Sequence, residues 1–358
     1  MSTAETAAPR SFSFKRFMAD QLRNIAPVFT LIALVIFFSF ASSSFLSLDN
    51  MLNIVRQLSI TGIIAVGLTY VILTAEIDLS VAAVANAVGI TVAYFTIQPD
   101  YVNIANGSVT MPGAIAIILA LAAAFAFGLV TAGGMTIIGI PSFIMTLAMM
   151  QIANGVSAML VRGQIAYQYP DLITTLGAGT AFQIPLGLDA AGKAMFIPIG
   201  WTIIVCMVFL LVGHLVLTYT RYGRYIYMVG GNREAAEYSG VNVKFIIGSV
   251  MVICAVCSGI AGMLGVAYFG SAQQNQFDTF LLDAIAAVVV GGTSLFGGRG
   301  GIGNTIIGLL VLGVVNNGLD HIQIDSFLKI LIRGLILLMA LIINVYAQVL
   351  KEKQSDLD

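Results

Sequence analysis

Apolar and polar positions alternate along this chain on the scale of whole spans. Apolar runs at about 26–46, 59–75, 79–97, 113–134, 141–161, 196–218, 245–267, 284–297, 302–319 and 327–347 are separated by short polar segments. A straight crossing of a bilayer takes roughly 20 apolar residues, so most of these runs read as membrane helices. The runs that meet around Glu76 and around Gly297 are short and read as broken or partly re-entrant. Such breaks are tolerated where protein or water covers the backbone. The pattern predicts an all-α polytopic membrane protein with about ten spans.

One polar island interrupts this pattern, Arg221 to Lys244. Inside it, Asn232 to Gly240 reads as a helix of about two turns. Asn232 suits the N-cap, Glu234 lies in the first turn where the dipole favours an anion, and Gly240 suits the left-handed C′ position. A helix so short does not stand alone in water; it must dock on its own membrane domain or on a partner.

Composition sharpens the reading. The chain is 59% hydrophobic and 9% charged, with a mean hydropathy of +0.97, against roughly 25% charged residues in soluble domains. No sizeable soluble domain fits into 358 residues beside that many spans. A net charge of −1 without a basic patch argues against nucleic-acid binding. Cys206, Cys254 and Cys257 all fall inside apolar runs; Cys254 and Cys257 have redox-motif spacing but read as small packing residues.

Basic residues set the orientation. Residues 1–24 carry Arg10, Lys15, Arg16 and Arg23 and read as a cytoplasmic segment before an uncleaved first span, although Ala41-Ser42-Ser43 is small enough for a cleavage site. The membrane domain runs from 25 to 349, and 350–358 forms a cytoplasmic tail with Lys351 and Lys353. Ten crossings then put 219–244, with Arg221, Arg224, Arg233 and Lys244, inside as well. The segments assigned outside are poor in Lys and Arg: 98–112 has none and 162–195 has Arg162 and Lys193. The 162–195 loop (Tyr167, Tyr169, Pro170, Pro185) and the segment Ser271 to Asp283 (Gln273, Gln274, Asn275, Gln276, Asp278) read equally as docking surfaces or as solvated connectors.

Several motifs carry candidate chemistry. Gly187 to Ala194 matches the phosphate-loop spacing up to Lys193, but Ala194 replaces the hydroxyl that would hold magnesium, and no strand-to-helix context surrounds it. Between apolar runs, Glu76 and Asp78 are costly unless paired or solvated. They read as a polar pathway, a gate or a proton-coupling site. For Asp78 the first reading is a cap on a helix starting near Leu79; Glu76 has no such simple role and could lie at the membrane edge. From Gly291 to Gly303 there are seven glycines in thirteen residues, too many for a plain span, and they allow a sharp turn and close backbone approach. Thr293 and Ser294 sit within that stretch, and Asp283 precedes it. Asn316 and Asn317 lie on an apolar span, where they either bond a neighbouring helix or line a polar route. Lys329 and Arg333 are expected to share a helix face with Asp325 and to snorkel to the interface. His214 and His321 lack ligand-like partners, so no metal site is expected, and no catalytic constellation appears.

Four stretches resemble the membrane permease subunit of bacterial ABC sugar importers of the ribose/xylose/galactose type, a group that belongs with the branched-chain amino acid permeases. They are Leu73 to Val81, Ile140 to Leu147, Gly223 to Val243, and Leu282 through the glycine cluster to Leu319. The chain departs from the family at Glu76, where members often have glycine before Ile77-Asp78-Leu79-Ser80, and at Ala82.

The resemblance implies a bacterial inner-membrane subunit of about ten spans. It would dimerise, with an identical chain as the expected partner, bind two cytoplasmic ATPase subunits, and receive solute from a periplasmic binding protein. No cofactor is expected in this chain itself; ATP and magnesium would be held by the partner ATPase. The short helix would match the family's coupling helix, with Gly230, Gly231, Asn232, Arg233, Glu234, Ala235, Ala236, Glu237 and Gly240 as the coupling set. The expected pathway set is Asp78, Ser80, Asp283, Thr293, Ser294, Asn316 and Asn317. The solute would be a neutral sugar or sugar alcohol, a pentose, hexose or small polyol. The alternative is a secondary transporter coupled to an ion through Glu76 or Asp78.

Overall fold

The computed structural model describes residues 14–96, 111–167, 169–188 and 194–355. Each apolar run has its helix: α1 (Phe14–Ala41), α2 (Leu48–Leu73), α3 (Val81–Thr96), α4 (Gly113–Gly133), α5 (Ser142–Val161), α7 (Trp201–Tyr219), α10 (Val243–Phe269), α11 (Asp278–Val290), α12 (Ile302–His321) and α13 (Ser326–Ser355). Three shorter helices lie between them: α6 (Asp171–Ala178), α8 (Arg221–Gly231) and α9 (Arg233–Tyr238). By length and composition, α2, α4 with its π-helical continuation to Ile138, α5, α7, α10 and α12 can each cross a membrane. Ala26–Ala41 and Val81–Thr96 are shorter apolar helices.

Several expected boundaries move. Helix α1 begins at Phe14, so part of the expected N-terminal segment is helical, while residues 1–13 lie outside the described residues. The run expected at 284–297 is a helix that starts earlier, at Asp278, and stops at Val290, leaving Gly291–Gly301 as a loop. Its 13 residues span only about 20 Å at 1.5 Å each.

The described chain is not purely helical. Strand β1 (Ala166–Tyr167) pairs antiparallel with β4 (Ser271–Ala272). Strands β2 (Thr180–Leu188) and β3 (Ala194–Gly200) form a hairpin with Gln183 opposite Pro198, so residues 196–200 are strand where a span was expected to begin. The phosphate-loop look-alike falls on this hairpin, strand leading to strand; its residues 189–193 lie outside the described residues, as does most of the 98–112 loop. Arg56 of α2 donates to the Pro198 carbonyl at 2.9 Å and ties the hairpin to the membrane helices. Tyr169, read as part of either a docking surface or a solvated connector, instead packs against the core.

Burial ranks the helices. Of its most apolar stretch, 78% is buried in α10 but only 22% in α4, which makes α10 central and leaves α4 largely exposed. Helix α3 is buried on nearly every side, as an apolar helix without a polar face must be. It approaches α10 so closely that a Cβ on Gly262 would overlap the Ala85 carbonyl. Cys254 and Cys257 are free, buried and packed against Gly67 of α2, the packing role expected for them.

The up-and-down course of the helices collects connections on two faces. Thr74–Ser80, the turn before α5, α8 with α9, and Gly291–Gly301 share the first face. The β-strands, the turn between α10 and α11, and the α12–α13 connection share the second.

Candidate functional site

The first face is built from segments far apart in sequence. Helix α2 ends at Leu73, and Ala75 turns the chain with a left-handed φ of 59°. That is the position where glycine is usual. The Ala75 and Glu76 amides bond back to the Ile72 and Val71 carbonyls at 3.0 and 3.2 Å, which closes the helix end. The chain then runs extended to Ser80, whose carbonyl accepts from the Val84 amide at 2.8 Å as α3 begins. Asp78 lies two residues before that cap: its Oδ1 accepts from the Ser80 amide at 2.8 Å and the Ser80 hydroxyl at 2.6 Å. The expected N-cap is therefore displaced; Ser80 occupies it, and Asp78 braces Ser80. Burial pushes the Asp78 carboxyl above the usual carboxylate range, and the bonds from Ser80 and Cys254 act against that shift.

The polar island contains two helices, one more than expected. Thr220 caps α8 by accepting from the Gly223 amide at 3.2 Å. Tyr222, Ile226 and Val229 follow at helical spacing; Ile226 and Val229 are buried, and Tyr222 packs half-buried against the same core. That spacing was readable, but the glycines at 223, 230 and 231 masked it. Helix α9 follows as expected: the Asn232 side chain accepts from the Ala235 amide at 3.0 Å, and Gly240 adopts a φ of 82° after its end. Only Ala236 of α9 is buried, while Glu234, Ala235, Glu237 and Tyr238 face outward.

Three connections meet where α8 gives way to α9. Gly230 lies against the end of α2 so closely that a Cβ would overlap the Leu73 carbonyl oxygen and stand 2.6 Å from the Gly298 amide. The Gly298 amide itself donates to Leu73 at 2.9 Å. Gly297, at φ 80°, lets the loop fold over Gly230 and Ala75. Tyr227 donates to the Gly300 carbonyl at 2.8 Å. Arg233, the first residue of α9, reaches back to the break: its Nη2 lies 2.6 Å from Glu76 Oε1 and donates to the Thr74 carbonyl at 3.2 Å. Glu76, for which the sequence offered no role, is thus the buried partner of a cation on the short helix. The α5 end touches the same place, with Thr146 Oγ1 3.5 Å from the Ile77 carbonyl.

The seven residues expected along a solute route divide into groups. Asp78 and Ser80 belong to the α2–α3 break, and Thr293 and Ser294 to the glycine loop, all on the first face. Asp283 and Asn316 converge instead on Arg333, with Arg333 Nε donating to Asn316 at 2.7 Å and Nη1 3.6 Å from Asp283. Arg333 therefore turns inward, contrary to the expected snorkel, and Lys329 pairs with Asp320. Asp325 accepts from the Phe327 amide at 2.8 Å and caps α13, rather than sharing charges with Lys329 and Arg333. Asn317 exchanges two bonds of 2.8 Å with Asn50 of α2, the helix-to-helix alternative of the two readings.

Asn86, a fully buried residue of α3 passed over in the sequence, completes the second-face polar groups. With its amide turned to suit its neighbours, it donates to the Gln273 carbonyl at 2.9 Å and accepts from the Asn275 amide at 3.0 Å. The glutamine-rich turn before α11 is therefore held against α3.

The four stretches that meet on the first face lie within a region that also matches a known family. Residues 50–341 match the family described as "Branched-chain amino acid transport system / permease component". The chain belongs to this permease family. It is 34% identical to the ribose import permease protein of Escherichia coli (strain K12), across 96% of this chain and 98% of that one. It is 35% identical to the ribose import permease protein of Haemophilus influenzae, across 94% and 96%. It is 28% identical to the xylose transport system permease protein of E. coli (strain K12), across 95% and 96%. No solved structure matches it. Like the family, this permease is a multi-pass protein of the bacterial inner membrane.

Proposed function

We propose that this permease is the membrane subunit of an ABC importer for a neutral sugar or sugar alcohol, a pentose, hexose or small polyol, with no catalysis of its own. Solute would arrive from a periplasmic binding protein, and ATP with magnesium would be bound and hydrolysed by separate cytoplasmic subunits. A second permease chain, identical to this one, would complete the central route. About ten crossings with both termini in the cytoplasm put the first face on the ATPase side. The domain division follows: residues 25–349 as the membrane domain, 219–244 as its cytoplasmic contact and 162–195 on the periplasmic side.

One observation carries this reading. Helix α9 turns Glu234, Glu237 and Tyr238 outward, with Tyr238 91% exposed, yet its base is fixed by backbone contacts into the membrane helices. An isolated six-residue helix is unstable in water, so a fixed base and an outward polar face suit an element that another chain grips. Gly230, Gly231, Asn232 and Arg233 would seat it, and Glu234, Ala235, Glu237 and Gly240 would shape the contact, with Ala236 as its buried foot. For the solute, the exposed side-chain amides of Gln273, Gln274 and Asn275, on a turn braced by Asn86, offer neutral hydrogen-bonding groups suited to hydroxyls. Asp283 and Asn316 lie in the same half of the domain, and Ser80, Thr293 and Ser294 would line the exit.

The sugar class rests on the named relatives, which import ribose and transport xylose. Transport by the permease reconstituted with its ATPase and binding protein tests the reading. Uptake should require ATP and persist with a protonophore present. Uptake without ATP that collapses on adding the protonophore would instead establish ion coupling through Asp78 or Glu76.

A further inference from the structure

Glu76 and Arg233 each stand at the wrong end of their own helix. Arg233 is the first residue of α9, where the dipole disfavours a cation; Glu76 lies just past the end of α2, where it disfavours an anion. Neither placement helps the helix that carries it. Together the two reverse the sign: the guanidinium meets the carboxylate at 2.6 Å and also the Thr74 carbonyl at the negative end of α2. The Glu76 side chain is 10% exposed and Arg233 47%, so the carboxylate is withdrawn from water while the cation stays at the rim. Among the described residues this is the one ion pair that links α9 to the membrane helices.

We propose that Glu76 and Arg233 are positioning residues that make α9 and the α2–α3 break one mechanical unit. A force applied to α9 then arrives at the start of α3. Helix α3 is buried on nearly every side and packed against α10, α4 and α5, so a displacement there cannot be absorbed by lipid. Gly230, just before α9, lies in close contact with Leu73, a contact that resists compression rather than separation, and the Gly298 hydrogen bond to Leu73 ties the glycine loop, not α9, to α2. The ion pair supplies the tension-bearing link. The inference rests on α9 being the contact for the ATPase.

The test measures solute taken up per ATP hydrolysed in the complete reconstituted transporter. Glu76→Gln and Arg233→Gln should each lower that ratio about tenfold, within the ~5–150-fold range of typical site-to-site coupling. Arg233→Lys should recover part of it, and the exchange Glu76→Arg with Arg233→Glu should recover more than either single change allows. A second variant removes dependence on folding: Glu76→Cys with Arg233→Cys, purified and then joined by a short bifunctional thiol reagent. The native cysteines are all buried. Joining should raise the ratio of the thiol pair towards that of the wild type. Wild-type ratios in both single variants, or a joined pair no better than the unjoined one, would overturn the joint while leaving the importer reading standing. Uptake by the wild type without ATP would overturn the importer reading and the joint with it.

Discussion

The two faces of this permease are held together by different means. On the first face, close backbone contacts underlie the Arg233 and Tyr227 side-chain ties: the Gly298 amide on the Leu73 carbonyl, Gly230 seated against the same oxygen, Gly297 folded over Ala75. On the second face, beside the short β1–β4 pairing, side chains make most of the ties, in the Asn50–Asn317 pair, the Asn86 amide on the Gln273–Asn275 turn, and Arg56 on the hairpin. Backbone contacts without intervening side chains leave little room for compression, so a push on one segment is passed to the other, and the Arg233–Glu76 pair carries the pull. Amide pairs can slip, re-pair or admit water without unfolding a helix. A rigid face suits the transmission of force, and an adaptable one suits the entry of a hydrated solute.

The largest expected effect breaks the rigid face directly. Gly230→Val places a branched side chain where the Leu73 carbonyl already lies, and overpacking of this kind costs ~1–3 kcal/mol. Uptake should be abolished, with a lowered melting temperature in detergent. If Gly230→Val transports normally, the close approach is not functional. A smaller effect is expected on the second face. Asn317→Ala leaves the buried Asn50 amide short of a partner, at a cost of ~1–3 kcal/mol. Thermal stability should fall while uptake per ATP hydrolysed stays at the wild-type value. Equal damage to stability and coupling from both substitutions would erase the distinction between the faces.

A subtler effect concerns Asp78. Its carboxyl is pushed up by burial, so the folded state holds the proton more tightly than the unfolded chain does. The associated stability is present below the unfolded-state value and is lost as pH rises through the folded-state one. Asp78→Asn keeps an oxygen for Ser80 and removes the titration. The variant should lose that part of the acid-to-neutral decline in melting temperature, and an unchanged decline would show that another group causes it. The smallest effect on stability belongs to Glu237→Gln on the outer side of α9, expected within about 0.5 kcal/mol as for most surface changes. Its effect should appear instead as weaker association with the ATPase, measured with purified subunits.

Much of this architecture was legible because apolar runs of span length leave few alternatives. The short helix was legible too, through Asn232 and Gly240, since caps are local signals that need no tertiary context. The extent of α8 was missed because its glycines counted against helix, whereas tertiary packing of Ile226 and Val229 decides it. The hairpin after Gly179 was missed because Thr180–Leu188 and Ala194–Gly200 mix apolar residues with Pro185 and Pro198, and strand pairing is not a local property. Glu76 is the clearest case. Its position between two apolar runs marked it as unusual, but its partner lies 157 residues away, and nothing in either segment alone names the other. The pathway residues were grouped by chemistry, and only packing reveals that Asn316 and Asn317, adjacent in sequence, face different helices.

The central claim is that another chain's ATP cycle takes hold of this permease at α9. The most direct measurement is ATPase activity and solute uptake by the assembled transporter from which Glu234 to Gly240 has been deleted. The account predicts a permease that still inserts into the membrane but neither stimulates ATP hydrolysis nor takes up solute. Normal ATP-dependent uptake by that deletion would contradict it.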